Sequence, residues 1–396
     1  MINKKLILAV LLMATCLTQF ATDIYIPSVL MISHYMKSSI SDIQLSIPIY
    51  LFGVAATQLI YGPLSEGIGR KTPLILGLVI MTIGSIVCVT STSSITLIIG
   101  RLIQGCGAGA VTCLWRSIFR DMFTGKDLSI YGGYLSIFIT FIVPSAPLLG
   151  SFLIHHFKWQ ATFIFMLIYS IATLICVLIW LKETHNNYHI EKLKPTFIKS
   201  TFWTIIKSRN FLSVSFISFF TYGTILAWLT TGPVLLIKYA HITPSSFGWF
   251  NFLGCGIAYG VAGRINGTLV KKYGVSKVLI FGLINVLISG ILLMASQIIL
   301  GITFWGIAIP IIILYFGSSF IWPNAFSMAF SPFGHIAGYA SAVYSFIQIC
   351  GGAIIGSMIA LLPNHTSTPL AIVIIIAACL AVITQTFNKY NKEAIS

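Results

Sequence analysis

Residues 62–71 read GPLSEGIGRK and lie between two long apolar runs. The stretch combines three glycines and one acid with two adjacent bases, Arg70 and Lys71. The flanking runs, 42–62 and 73–92, each match the length of roughly 20 apolar residues that a membrane-spanning helix needs. The stretch therefore reads as a short charged turn between two spans, and this interpretation sets the fold class.

The composition of the whole chain agrees with a membrane protein. Of 396 residues, 57% are hydrophobic and only 8% are charged, whereas a soluble chain carries about 25% charged residues. The net charge is +15, and the bases lie in short loops between apolar runs, as they do in membrane proteins. They are not clustered into a surface that could bind nucleic acid. A soluble enzyme, a disordered chain and a nucleic-acid-binding protein are excluded.

Twelve apolar runs are long enough to span a membrane, which predicts an all-α membrane protein with twelve transmembrane helices in two six-helix halves. The halves are 1–181 and 210–396, and the cytoplasmic linker between them is 182–209. The predicted spans are 6–30, 42–62, 73–92, 95–116, 130–154, 160–181, 211–237, 246–269, 278–298, 302–330, 335–361 and 369–387.

Lysine and arginine predict the orientation of these spans, because cytoplasmic loops carry an excess of both. With both termini cytoplasmic, only Lys37, Lys158 and Lys238 fall in outer loops, and Arg101 is the one base well inside a span. Lys4 and Lys5 precede an apolar run that resembles a signal peptide. The run stays apolar beyond the usual length, so we interpret it as the first transmembrane helix.

Only two side chains that are charged at neutral pH lie well inside predicted spans, the acid Asp23 and the base Arg101. Such a residue is by default a candidate for function, because inserting its charge is costly. Counted from the outer ends of their helices, both lie at a depth of about 10 Å. They could face one another or share a cavity, and the alternatives are a charge at a helix end or a structural salt bridge.

Asp23 is the best proton carrier that the chain offers. Burial favours its neutral form and a nearby guanidinium favours the carboxylate, so water entering from either side could load and release a proton. The C-terminal half has no acid between Glu191 and Glu393. Coupling through a membrane carboxylate would therefore reside in the N-terminal half.

Several motifs resemble those of the major facilitator superfamily. Gly62-x-Leu64-x-Glu66-x-x-Gly69-Arg70-Lys71 resembles its loop motif between helices 2 and 3. Other pieces resemble its fourth-helix and fifth-helix motifs and its bicyclomycin/chloramphenicol-resistance (Bcr/CflA) group of drug:proton antiporters. They are 100–109 (GRLIQGCGAG), 143–150 (VPSAPLLG), 22–27 (TDIYIP), 116–121 (RSIFRD), Glu183–Thr184, 323–325 (PNA) and 337–342 (AGYASA).

The resemblance implies roles for individual residues. Proton coupling would involve Asp23, Arg101 and Gln104. A cytoplasmic network that latches the outward-open state would comprise Glu66, Arg70, Arg120 and Asp121. A fifth-helix motif that controls packing between the halves would comprise Pro144, Pro147 and Gly150. The sequence departs from the usual motifs at Glu66, where aspartate is usual, and at Gly67, where a base is common, and these departures concern the details of gating and not the class of protein.

The substrate path is less strongly indicated. The spans contain many aromatic residues, which suit amphipathic molecules of varied shape, although most aromatics in a span face lipid or pack against neighbours. Polar groups in spans are scarce and must find partners. We expect these five residues to line the path: Tyr25, Tyr50, Asn251, Asn324 and Gln348.

Features of catalytic or metal sites are weak or absent. The eight cysteines lie in apolar runs without metal-ligand spacing, and His155–His156 lacks a carboxylate or cysteine partner. There is no nucleotide-binding loop, so ATP is not the energy source. Glycines 105, 107 and 109 read as helix packing within a span. We therefore expect no enzyme activity, no cofactor and no bound metal.

Together these observations predict a multi-pass protein of the bacterial inner membrane that exports a small molecule in exchange for protons. Its partners would be that substrate, protons and lipid, with no nucleic acid, and it would act as a monomer. Two alternatives stay open. One is a dedicated exporter of a metabolite such as a siderophore or an amino-acid derivative, and the other is a membrane sensor that binds without transporting.

Overall fold

A computed structural model describes residues 4–123, 142, 144–184, 195–330, 333, 337–363 and 365–386. Within these ranges the regular structure is helical, as the sequence predicts. The helices are α1 Lys4–Asp23, α2 Val29–Met36, α3 Ile40–Ile68, α4 Lys71–Val89, α5 Ser94–Met122, α6 144–156, α7 Gln160–Trp180, α8 Pro195–Ile206, α9 Arg209–Pro233, α10 Pro244–Trp249, α11 Ile257–Tyr273, α12 Val275–Leu300, α13 Phe304–Phe330, α14 Ala337–Ala360 and α15 Thr368–Thr386.

Ten segments of the described chain are long and apolar enough to cross a membrane, and they match ten of the predicted spans. The predicted span 130–154 lies partly outside the described residues. The predicted span 246–269 is helical but is not among the ten. It contains Asn251, Arg264 and six glycines, which lower its mean hydropathy. A total of twelve spans therefore stays a prediction.

The predicted linker 182–209 contains a helix, α8, that the sequence analysis did not anticipate. Its apolar residues recur at helical spacing, so one face packs on the protein. Ile205 is fully buried, and the ring of Phe202 lies 5.9 Å from that of Tyr339 on α14. Trp203 on the opposite face is 59% exposed. The division into two halves around this linker stays a prediction.

The backbones of helices α3 and α5 approach each other closely, because glycines of α5 place no side chain between them. A Cβ at Gly105 would overlap the carbonyl of Tyr50, and one at Gly109 would overlap the Thr57 side chain. Gly107 points the other way, against the backbone of Met81 on α4. Small residues permit this contact in a membrane protein, so the interpretation of these glycines as packing residues is confirmed.

Two turns in different parts of the chain share one backbone conformation. Gly69 between α3 and α4 has φ +93°, and Gly274 between α11 and α12 has φ +84°. Residues with a Cβ are strained at such angles, and glycine is not. The sequence around the two turns is also similar in kind, since 62–71 (GPLSEGIGRK) and 263–274 (GRINGTLVKKYG) both combine glycines with bases.

The two predicted halves contact each other along the bundle. We call the end that carries Arg70 the Arg70 end, and the other the opposite end. At the opposite end, Gln44 Nε2 donates to the carbonyl of Thr230 at 2.6 Å. Close by, Ser151 Oγ donates to the carbonyl of Pro244 at 2.7 Å. Helix α3 also packs along α14.

Candidate functional site

The first span is broken immediately after Asp23. Helix α1 ends at Asp23, a 3-10 turn follows at Ile26–Ser28, and α2 then continues the span. Pro27 explains the break, because it has no N–H to donate to the carbonyl of the residue four positions earlier, which is Asp23. The Asp23 side chain is 4% exposed. Its Oδ1 has no hydrogen-bond partner among the described residues.

Arg101 is among the largest fully buried side chains of the described chain. Its Nη1 donates to Gln104 Oε1, and its Nε donates to the carbonyl of Ser46 at 3.4 Å. Its Cζ lies 4.6 Å from the centre of the Tyr25 ring and 4.2 Å from that of the Tyr50 ring. The Tyr25 hydroxyl is 2.8 Å from Ser46 Oγ. Aromatic faces attract a buried cation, so the rings and the hydrogen bonds position the guanidinium together.

Further hydrogen bonds hold this cluster to neighbouring helices. Gln104 Nε2 donates to Ser85 Oγ on α4 at 2.9 Å. The Tyr50 hydroxyl donates to the carbonyl of Thr18 on α1 at 3.1 Å. Ser46 and Ser85 were not predicted as site residues. Serine is frequent in membrane spans, so the sequence does not single out either residue. Only their hydrogen bonds with Arg101 and Gln104 identify them as part of the site.

Asp23 and Arg101 interact electrostatically without closing an ion pair. In the described part of the chain, Arg101 Nη2 has no hydrogen-bond partner, and neither does Asp23 Oδ1. Buried polar atoms are normally paired, so two complementary unpaired atoms in one region point to a function. Tyr222 on α9 and Tyr315 on α13 interact electrostatically with Asp23, so helices of the predicted C-terminal half also lie near this region.

The predicted path residues of the N-terminal half, Tyr25 and Tyr50, are at most 1% exposed. Both pack on Arg101 and therefore position the guanidinium in this structure. In the C-terminal half, Asn251 lies on a π-helical turn, Phe250–Gly256, and accepts a hydrogen bond from Trp228 Nε1 at 3.4 Å. Such turns occur frequently at functional sites.

The other two predicted path residues lie on α13 and α14. Asn324 is buried and donates to Asn266 Oδ1 at 2.8 Å, so it joins α13 to α11. Gln348 is half-buried on α14, with no hydrogen bond to the part of the chain that the structure describes. Among the described residues, no hydrogen bond joins any two of the five predicted path residues, and their role stays a prediction.

The predicted fifth-helix motif lies on α6, where it contacts residues of both predicted halves. A Cβ at Gly150 would overlap the carbonyl of Ile24, the residue after Asp23. A Cβ at Gly256, just before α11, would be 2.7 Å from the Pro144 ring. Pro147 accepts a hydrogen bond from Ser151 through its carbonyl at 2.8 Å. The motif thus joins the break beside Asp23 to the predicted C-terminal half.

At the Arg70 end, three of the four predicted latch residues form one network, here called the Arg70 network. Arg70 Nη2 donates to Glu66 at 2.7 Å and Nε donates to Asp121 at 3.2 Å. Nη1 donates to Ser65 Oγ at 2.6 Å. Burial disfavours the guanidinium charge, but the two carboxylates outweigh it and raise the pKa of Arg70 above its ordinary value. The Arg120 side chain lies outside the described residues.

Glu183 belongs to this network, although it was not predicted as a site residue. Its carboxylate accepts hydrogen bonds from the backbone N–H groups of Arg70 at 2.8 Å and Lys71 at 3.1 Å. It therefore caps the N-terminus of α4, where a negative charge is stabilising. The sequence signal was the Glu183–Thr184 pair itself, but no spacing rule connects Glu183 to a turn 113 residues earlier.

Comparisons with known proteins agree with this architecture. Residues 11–357 match the family model described as Major Facilitator Superfamily. A Bicyclomycin resistance protein homolog of Haemophilus influenzae is 25% identical over 89% of this chain and 88% of its own length. Multidrug resistance protein MdtL of Citrobacter koseri is 30% identical over 84% of this chain and 83% of its own length.

A solved structure supports the fold. The crystal structure of a D-xylose-proton symporter aligns with a TM-score of 0.77, at 14% identity, and covers 97% of each chain. The identity is too low to carry more than the fold. The Bcr/CflA resemblance drawn from the motifs agrees with the curated relatives. The chain therefore belongs to the Major Facilitator Superfamily, a family of transporters and not of enzymes.

Proposed function

We propose that this transporter exports drugs or other small amphipathic molecules across the bacterial inner membrane in exchange for protons. One observation carries the proposal: Asp23 and Arg101, buried at the broken first span, each present an unpaired polar atom. A carboxylate that is buried beside a guanidinium, and not locked to it, can bind and release a proton as its surroundings change.

The relatives support the kind of cargo. Two of them are named for resistance to bicyclomycin or to multiple drugs, which favours drugs or drug-like molecules as substrates. The proposed unit is a monomer of two six-helix halves, with both termini cytoplasmic. Its N-terminal half would carry the proton, since Asp23 lies there.

The mechanism that we propose is alternating access. Asp23 would take a proton from the outer side and release it to the cytoplasm, and Arg101 would tune that exchange through its charge. A bound substrate favours release of the proton where the two compete for the same region. Because Gly150 touches the chain beside Asp23 while α6 packs on α10 and on the π-helical turn before α11, protonation could be communicated to the interface between the halves. The Arg70 network would stabilise the state that is closed at the cytoplasmic side.

The test is proton flux in everted membrane vesicles with a preformed pH gradient. Chloramphenicol-like drugs, cationic dyes and siderophores are added one at a time to vesicles with wild-type protein or Asp23→Asn. Asp42→Asn is the matched control, because Asp42 is an acid in the first turn of α3 that serves as a cap at the helix start. We expect several unrelated compounds to collapse the gradient in wild type and Asp42→Asn, and none in Asp23→Asn.

Other outcomes decide between the alternatives. Collapse by a single metabolite would favour the dedicated exporter. Binding without flux for every compound would favour the sensor. Equal flux in wild type and Asp23→Asn would show that Asp23 is structural, and the proposed coupling would be wrong.

A further inference from the structure

A cavity of about 250 Å³ lies between the two predicted halves, towards the Arg70 end. Helices α3 and α5 form one wall, and α13 and α14 form the other. Its lining includes Gln58, Arg116, Phe326 and Ser345. Fifteen residues separate Arg101 from Arg116 on α5, or about 22 Å along the helix, so this cavity is distinct from the cluster around Asp23.

Arg116 places a cation in this cavity. The side chain is exposed, and its Cζ lies 4.9 Å from the centre of the Trp115 ring and 5.5 Å from that of the Phe326 ring. Within the described part of the chain, no hydrogen bond or ion pair to the guanidinium is formed. A guanidinium offers five N–H donors in a planar fork that matches a carboxylate. The two aromatic rings pack against the guanidinium, and its N–H donors stay available to a ligand.

Gln58 adds an independent observation. Its side chain is fully buried in the cavity wall. Neither Oε1 nor Nε2 has a hydrogen-bond partner among the described residues. An unpaired buried amide is unfavourable, and a ligand with a polar group in the cavity would satisfy it.

The other charged residues of the lining are engaged elsewhere. Arg70 donates to Glu66, to Asp121 and to Ser65, and Glu66 accepts from it at 2.7 Å. Among the described lining residues, Arg116 is therefore the cation whose donors are not already used.

We infer that this cavity binds the anionic group of an amphipathic molecule, with a carboxylate or a similar oxyanion against Arg116. The apolar part of the molecule packs against Phe326, and Gln58 supplies a second polar contact. The inference rests on the proposed function, because it names the substrate class as organic anions or zwitterions that enter at the Arg70 end. A cation would be repelled here by Arg116.

The test compares two probes of nearly equal size, the anion 1-naphthoate and the neutral 1-naphthamide. Binding of each to the full chain in lipid nanodiscs is measured by equilibrium dialysis. We expect wild type to bind naphthoate about tenfold more tightly than naphthamide, since charge-assisted hydrogen bonds are the stronger kind. Arg116→Gln should abolish this preference, and Gln58→Leu should weaken the binding of both probes.

Two further variants control the test. Arg264→Gln removes an exposed arginine of α11 outside the cavity lining and should leave both dissociation constants unchanged. Arg116→Lys keeps the positive charge but lacks the planar set of N–H donors. It should therefore show an intermediate preference for naphthoate over naphthamide. If Arg116→Gln does not fold, as judged by its melting temperature, Arg116→Lys provides the comparison.

An unchanged preference in the folded Arg116 variants, or no preference in wild type, would overturn the inference. These failures are distinguishable from failure of the proposed function. Loss of proton coupling in Asp23→Asn together with normal naphthoate binding in Arg116→Gln would refute only the anion site. Naphthoate binding that depends on Arg116, together with unchanged flux in Asp23→Asn, would refute only the proposed coupling.

Discussion

Gln44 on α3 donates a hydrogen bond to the main-chain carbonyl of Thr230 on α9 at 2.6 Å, across the interface between the predicted halves. Both partners are fully buried. The bond therefore contributes to closing the bundle at the end opposite Arg70, and any state open at that end must break it.

Removing this bond should shift the protein towards the open state. A hydrogen bond contributes about 1 kcal/mol, so Gln44→Leu should raise the ratio of open to closed molecules about fivefold. Distances between spin labels at Lys37 and Lys238, measured by pulsed electron paramagnetic resonance, would report the change. Thr230→Val is the matched control, because among the described residues the Thr230 hydroxyl bonds only to the carbonyl of Leu226, and the Thr230 carbonyl stays. An identical distance distribution in Gln44→Leu and wild type would contradict the prediction.

Arg101→Lys should impair transport although the positive charge is kept. Lysine lacks the planar guanidinium that lies between Tyr25 and Tyr50 and that donates at once to Gln104 and Ser46. We expect substrate-driven proton flux to fall about tenfold, the effect of losing interactions worth about 1.4 kcal/mol. Flux in vesicles with matched protein amounts checks this. Wild-type flux in Arg101→Lys would mean that the charge alone is sufficient.

Gly69→Ala should destabilise the protein more than Gly274→Ala, although both glycines have positive φ. At Gly274 only backbone strain is added, roughly 1–3 kcal/mol, because no atom lies within 4 Å of a new Cβ. At Gly69 the new Cβ would also collide with the Glu183 carboxylate and displace it from the N-terminus of α4.

The loss of this cap can be separated from backbone strain. Glu183→Ala should lower the free energy of unfolding by about 1–2 kcal/mol, the range for removing a charged cap. Thr184→Val is the control and should have little effect, because the Thr184 hydroxyl has no partner among the described residues. Melting temperatures of the four variants in detergent would give the order. Equal losses in Gly69→Ala and Gly274→Ala would show that Glu183 does not stabilise the turn.

Gly150→Ala should damage the contact between α6 and the break beside Asp23. Its Cβ would overlap the Ile24 carbonyl, and overpacking of this kind costs roughly 1–3 kcal/mol. Gly267→Ala on α11 is the control, because no atom lies within 4 Å of its new Cβ and alanine favours a helix. Thermal stability and proton flux should both fall for Gly150→Ala only. A normal melting temperature for Gly150→Ala would show that α6 can move aside.

Much of the candidate site could be predicted from the sequence, because its signals are local. An ionisable residue within an apolar run stands out in any chain, which is why Asp23 and Arg101 could be identified. The turn around Arg70 could be identified in the same way from its glycines and bases. The fold class follows from the length of the apolar runs, which is set by the thickness of the bilayer.

Other relationships depend on how the helices are rotated and packed. Glu183 lies 113 residues from Arg70, and Gln44 lies 186 residues from Thr230, and no periodicity connects such partners. Hydropathy indicates that a helix crosses the membrane. It does not indicate which face of the helix packs against a neighbour, because lipid tails are as apolar as the side chains. That face is set by close contacts such as Gly150 against the Ile24 carbonyl. The unpaired atoms of Asp23, Arg101 and Gln58 emerge only once the helices are packed, because pairing is a property of neighbours in space.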